Sequence, residues 1–205
     1  LVLLGLLLAV LPAAPVRGQT IDELREMGAT IPTDPGNAAT WYVRAVDELA
    51  RVGPRQADVV ADWDHATPPT RALRAALRAH AAVLNDVETA TSRTRCDFEL
   101  DYSQGWELLL PHLARLRQVA RVLRARALVA MHDGRADAAV RDVARIQRMA
   151  VHTAGDDILI SSLVSIAIAS MGDELVAIGL RRGVFGPAEA ARLLDVVSEL
   201  AAPGA

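Results

Sequence analysis

Apolar positions between Trp106 and Val151 recur at alternating spacings of four and three. Leu109, Leu113, Leu116, Ala120, Leu123, Ala127 and Ala130 form one such series, and Ala139, Val143, Ile146 and Ala150 form a second. That spacing places each series on one side of an α-helix. Between the two stands His132-Asp133-Gly134, where glycine suits the left-handed position at a helix end. A link this short requires the two helices to pack antiparallel as neighbours. Proline is tolerated in a first helical turn, so with Pro111 in place the continuous helix is expected to begin near Leu110.

Upstream, Thr20 and Glu23 make a capping box for a short helix over Ile21 to Met27, and Gly28 ends it. Thr30 to Gly36 reads as a loop. Asn37 caps a helix that runs to about Val52, where Gly53-Pro54 stops it. Residues 53 to 69 are the least regular stretch, with a short turn near Val59-Val60. Thr70 opens a helix to about Thr89, with Leu73, Leu77, Leu84 and Val87 on one stripe and Arg71, Arg74 and Arg78 opposite. From Cys96 to Tyr102 the period changes to two. Phe98, Leu100 and Tyr102 alternate with Asp97, Glu99 and Asp101, which predicts an extended segment with one acidic edge.

Downstream, Ile158 to Met171 carries no charge and is apolar on nearly every side. Fourteen residues rise about 21 Å at helical pitch, short of the roughly 30 Å of a hydrocarbon core. Asp173 and Glu174 then follow, so the expectation is a buried apolar helix at 158–180 rather than a membrane span. Gly186-Pro187 opens a last helix to about Ala201, with Leu193, Leu194, Val196, Val197 and Leu200 expected to face inward. The fold class is therefore all-α, with antiparallel helical hairpins stacked in a bundle or a short superhelix. A single helical domain is expected over 37–201, preceded by a short helix and loop at 19–36.

The first eighteen residues differ from all of this. Leu1 to Leu11 is apolar throughout and gives way to small residues, with Val16-Arg17-Gly18 placing a cleavage site before Gln19. The pattern is that of a secretory signal, which implies an exported, periplasmic or secreted chain. An uncleaved N-terminal anchor is the alternative, and only that reading would place the chain on a membrane.

Composition narrows the function without naming it. The net charge of −3 argues against a nucleic-acid partner, which calls for a clear basic excess. All 22 basic residues are arginine, as a GC-rich genome would produce. The only cysteine, Cys96, can form neither an internal disulfide nor a thiolate zinc cage, and is expected to be buried. No HExxH, CxxC, GxSxG, phosphate-binding or dinucleotide-binding signature is present, and nothing in the pattern implies a cofactor.

Chemistry-bearing residues gather chiefly at one end of the hairpin. His112 lies near the start of the first hairpin helix and His152 near the end of the second, so antiparallel packing brings them to one end. Cys96 and Asp97 enter the hairpin at that end, and Asp156 and Asp157 leave there. Cys96, Asp97, His112 and His152 are thus the candidate metal-binding or catalytic set, since His with a carboxylate suits a transition metal. The alternative is that they serve structure alone. The loop Asp62-Trp63-Asp64-His65 is a second polar cluster, more simply read as a solvated connection with Trp63 tucked onto the core.

Two resemblances bear on this reading. The hairpin from about Arg124 to Ala150, with Gly134 at its turn and Ala138-Ala139 after it, resembles a tetratricopeptide-type helical pair. It lacks the bulky aromatics of that pattern, and no 34-residue repetition accompanies it. Over about Asn37 to Ala201 the chain also resembles uncharacterised exported helical proteins of planctomycete-type bacteria. Asn37-Ala38-Ala39 with Tyr42, Cys96-Asp97-Phe98 with Tyr102 and Gly105, Leu110-Pro111-His112-Leu113 with Leu116-Arg117, Arg126-Ala127, Gly134, and Leu163 with Ala167 carry that likeness. It implies a helical fold and export, and no reaction. The expected function is a non-catalytic scaffold or interaction domain that binds another protein or a peptide.

Overall fold

The computed structural model describes residues 30–63, 65–102, 111–156 and 158–201. Among these residues lie eight helices and no strand: α1 Ala38–Arg51, α2 Pro54–Ala61, α3 Arg71–Ala79, α4 Ala81–Thr91, α5 Pro111–His132, α6 Ala136–Ala154, α7 Leu159–Arg181 and α8 Pro187–Leu200. The chain is all-α, as its periodicity predicts. The leader at 1–18, the short helix at Ile21 to Met27, Asp64, Asp157, and the stretch holding Trp106, Leu109 and Leu110 lie outside the described residues.

The hairpin of α5 and α6 forms as expected. Leu113, Leu116, Ala120, Leu123, Ala127 and Ala130 are all buried, and so are Ala139, Val143, Ile146 and Ala150. At the tip Gly134 takes φ 68°, and the Arg135 and Gly134 amides donate to the carbonyls of Ala130 and Met131 at 2.8 and 3.1 Å. That pair of bonds satisfies the last carbonyls of α5, and only a residue tolerant of the left-handed region fits between them. Lower in the seam, Arg126 grips Asp142 with two bonds of 2.8 and 2.6 Å, and Arg145 adds a third at 2.9 Å. Arg145 also reaches Glu88 at 2.6 Å, which ties α4 to the hairpin.

α1 and α4 pack antiparallel beside this pair, linked by Arg44 and Asp86 at 3.4 Å. Asn37 caps α1 and also holds the segment after α4. Its Oδ1 accepts from the amides of Ala39 and Asp97 at 3.1 and 2.9 Å, and its Nδ2 donates to the Asp97 carbonyl at 2.7 Å. The fully buried Asn37 therefore serves two pieces of backbone at once.

The Gly53-Pro54 stop is equally a start. Val52 ends α1, and Pro54 occupies the first turn of α2, a full helix where only a short turn is expected. The helix predicted from Thr70 to Thr89 divides at His80 into α3 and α4. His80 is fully buried, and its Nδ1 donates to the Ala76 carbonyl one turn back at 2.8 Å. The Cys96–Asp101 stretch is irregular rather than strand-like, with Glu99 at φ 54°. Its alternation still holds in part: Phe98 is buried and Leu100 half-buried, while Asp97, Glu99 and Asp101 are exposed.

α7 lies antiparallel along α6, with Gln147 bonded to Asp173 at 2.9 Å and Ser165 to the Ala150 carbonyl at 2.7 Å. Its inner stripe of Ser161, Ile168, Leu175 and Ile178 is buried. The expectation of a helix buried on nearly every side is corrected over its first two turns. Leu159, Ile160, Leu163 and Ile166 stand 74, 54, 57 and 62% exposed. Residues apolar all round give no periodic signal, so the sequence could not say which side met water. α8 departs in the same way: Leu193 is buried, but Leu194 and Val197, expected inward, are exposed.

Candidate functional site

The end of the hairpin opposite Gly134 is built from five segments: the α1 helix, the Cys96–Phe98 segment, the start of α5, the end of α6 and the turn into α7. They meet in a stack of rings. The Phe98 ring lies on the His112 imidazole at 4.2 Å and 16° between planes, and the Tyr42 ring follows at 6.4 Å from Phe98. Tyr42 meets His152 edge-on, and its hydroxyl lies 3.0 Å from His152 Nδ1. Tyr42 is fully buried, and His112 and His152 are each only 6% exposed.

Burial sets the electrostatics of this cluster. It pushes the His152 pKa down to about 4, with the Arg148 charge adding to the effect and a bond to the Arg93 backbone opposing it. The imidazole is therefore neutral near pH 7, and with its one N–H donated to the Arg93 carbonyl, Nδ1 is left to accept from the Tyr42 hydroxyl. Burial also raises the Tyr42 phenol well above its usual value, and the nearby Cys96 raises it further. The Cys96 thiol is pushed up by burial and then by the carboxylates of Asp156 and Asp97, so it is held in its neutral form. Cys96 itself is half-buried rather than buried.

The four expected site residues do reach one end of the hairpin, but they do not form one ligand set. His152 is committed to Tyr42 and Arg93. Asp97 turns its carboxylate outward, toward Arg95 at 3.5 Å and its own Glu99 amide at 2.8 Å. His112 Nε2 is buried without a hydrogen-bond partner, 3.7 Å from Asp156 Oδ2. Among the described residues, no group of three His, Cys, Asp or Glu side chains is placed to hold a metal ion. Sequence reasoning missed Tyr42 and Phe98, the two rings that separate the histidines. Their signal was present, since Tyr42 sits one turn and a fraction past the Asn37 cap and Phe98 occupies the inward phase of the alternating segment.

The second polar cluster is described only in part, since Asp64 lies outside the described residues. Trp63 is half-buried against the core, and the His65 carbonyl accepts from Arg182 at 2.9 Å.

The open features lie on α7 and α8. A groove of about 420 Å³ runs between α6, α7 and α8, lined by Val143, Gln147, Val176, Leu180, Leu193 and Val197 among others. Two ion pairs fasten α8 to α6, Arg192 with Asp137 at 2.7 Å and Arg148 with Glu199 at 2.5 Å. Asp137 thus ties α6 to α8. At the α7–α8 turn, the Gly179 carbonyl accepts from Val184 and Phe185 at 2.9 and 3.1 Å. A Cβ at Gly179 would stand 2.3 Å from the Phe185 ring, so this turn depends on glycine. Glu189 caps α8 by accepting from the Gly186 amide at 2.9 Å. The groove walls are thereby held in place while Leu194 and Val197 stay in solvent. No family model, curated protein or solved structure matches the chain.

Proposed function

We propose that the chain is an exported, non-catalytic helical scaffold or protein-interaction domain, whose partner lays an amphipathic helix into the α6–α7–α8 groove. The groove itself carries this reading. It is apolar and prebuilt, and Leu180, Leu194 and Val197 are 50, 66 and 53% exposed along it. An apolar face of this kind on a folded helical pair suits the i, i+3, i+4, i+7 anchors of a partner helix. At the closed end of the hairpin His152 and Tyr42 are bonded to one another and the Phe98 ring covers His112, which supports the non-catalytic part. Export rests on the Leu1–Gly18 pattern and on the likeness to exported helical proteins.

A photoreactive amino acid at Val197, in cells producing the full chain, tests both parts. The expected result is one discrete protein adduct in the envelope or secreted fraction. It should vanish when Leu194→Glu is added, and should not form from Arg78, an exposed position on α3. Equal adducts from both positions, or none from Val197, would refute the groove, and an adduct confined to the cytosol would refute export.

A further inference from the structure

The exposed ridge at the start of α7 is separate from the groove and has a different border. Leu159, Ile160, Leu163 and Ile166 are all more than half exposed, and no charged residue interrupts α7 before Asp173. The neighbouring helix on one side is α5. Both α5 and α7 run antiparallel to α6, so they run parallel to each other. Arg124 binds Glu174 through two bonds of 2.9 and 2.7 Å, which fixes their register. Arg117 and Arg121 lie on the same stripe of α5 as Arg124, at seven and three residues back. Leu163, Ala167 and Ser170 lie on the Glu174 stripe of α7, at eleven, seven and four residues back. The bidentate pair therefore sets the two stripes side by side, with Arg117 and Arg121 along the edge of the apolar ridge.

Those two arginines are exposed, and among the described residues no carboxylate pairs with either. α5 contains no Asp or Glu anywhere along its length. The surface is an uncharged aliphatic ridge whose α5 margin is cationic. A contiguous apolar patch of this kind marks an interaction site. Aliphatic side chains seated at the depth of acyl chains, with arginines level with phosphates, match the chemistry of an anionic bilayer surface.

We infer that this face of α5 and α7 docks peripherally on an anionic lipid surface, with Leu159, Ile160, Leu163 and Ile166 entering the headgroup boundary and Arg117 and Arg121 binding lipid phosphates. The helix does not cross the bilayer. α7 is long and apolar enough to do so by length and composition, but its inner stripe is packed on the bundle. This docking is independent of the groove and of any N-terminal anchor.

The test uses the full chain carrying Cys96→Ser and one new cysteine, labelled with an environment-sensitive fluorophore. With Ile166→Cys, vesicles containing phosphatidylglycerol should shift the label's emission to the blue, and the same label at Ala82→Cys on exposed α4 should not respond. Two arginines near a charged surface are each worth a factor of about five, so apparent affinity should fall on the order of 30-fold in neutral phosphatidylcholine vesicles. The same loss is expected in anionic vesicles after Arg117→Gln with Arg121→Gln, with the helical circular dichroism unchanged. A label at position 166 that stays in water on every vesicle overturns the proposal, even if the N-terminal run holds the chain on the membrane. Overturning it equally would be a blue shift that grows with protein concentration without lipid, which would assign the face to a second copy of the chain. If Ile166→Cys does not fold, Leu163→Cys reads the same surface.

Discussion

At the α6–α7 turn, Tyr42, Phe98, His112 and His152 are stacked out of water, while within three turns of that point on α7 Leu163 and Ile166 stand in it. The residue types are the reverse of what each place suggests. Imidazoles, a phenol and a thiol occupy the closed end, and aliphatic side chains occupy the surface. The closed end carries polar groups among its rings, and the Tyr42–His152 bond ties α1 to α6 with a direction that aliphatic packing lacks. The α7 face carries aliphatic groups that no described part of the bundle covers. Burying a comparable Leu or Ile would stabilise the fold by about 1.5–3 kcal/mol each, and the fold forgoes that gain here. Imidazole and phenol groups are thus packed inside, and aliphatic groups of α7 face water.

The comparison is broken most severely from the closed side. The polar seam continues from the ring stack down α5 and α6 to Asp142, which is 2% exposed and accepts from both Arg126 and Arg145. Asp142→Ala leaves two guanidinium groups without their shared carboxylate, and loss of one partner from a buried pair costs about 3–5 kcal/mol. Urea denaturation should show the midpoint falling with an unchanged slope. A loss below about 1 kcal/mol would mean the seam is dispensable.

Acid should weaken the closed end next. His152 has a folded pKa of about 4 against 6.5 when unfolded. Between those values the unfolded chain binds a proton that the folded chain does not, so stability falls as pH drops from about 6.5 and levels off near 4. The full difference is about 3 kcal/mol. Paired carboxylates act lower. The Asp133 and Glu174 carboxyls are held below their usual range by hydrogen bonds from Arg74 and Arg124, so their contribution is lost only below the ordinary carboxylate pKa near 4. His152→Gln keeps an acceptor for Tyr42 and removes the titration. Its stability should be nearly flat from pH 6.5 to 4.5, and a slope equal to that of the parent would assign the effect to other groups.

On the open side the largest effect is expected at Gly179. Phe185 is 4% exposed, and its ring fills the space a Cβ would need. Gly179→Ala should cost about 1–3 kcal/mol by overpacking. It should also loosen α8 and the groove, which amide exchange across Pro187–Leu200 would report as faster exchange there than in α5.

How much of this was legible from the chain depends on where periodicity exists. The α5–α6 hairpin was readable residue by residue, because polar and apolar positions alternate at helical spacing and Gly134 marks the turn. Asn37 was readable as a cap, but not as a clamp on Asp97, since that bond spans sixty residues. The division at His80 was invisible, because its cause is a buried ring bonding one turn back. α7 failed for the opposite reason: with no charged residue between Ile158 and Met171 and only serines to break the apolar run, every rotation of the helix looked equally buried. The candidate site was legible in address and not in rotation. Antiparallel packing alone puts His112 and His152 at one end, while the insertion of Tyr42 and Phe98 between them depends on how α1 and the 96–98 segment dock.

The smallest effect is the sharpest test of the contrast. Leu163→Ser changes a residue of the same aliphatic class as Leu116, and in the sequence both sit on long apolar helices. Leu116 is fully buried and Leu163 is 57% exposed. Leu116→Ser should lose several kcal/mol, as core truncations of leucine do by about 2–5 kcal/mol even to alanine. Leu163→Ser should stay within about 0.5 kcal/mol of the parent, the range of surface substitutions away from special contacts. The parallel measurement is solubility, because removing an exposed aliphatic group reduces self-association. If Leu163→Ser costs as much as Leu116→Ser, the α7 face is covered in the folded chain, and the division between a closed end and an open face disappears. A neutral Leu163→Ser with raised solubility leaves that face free for a partner.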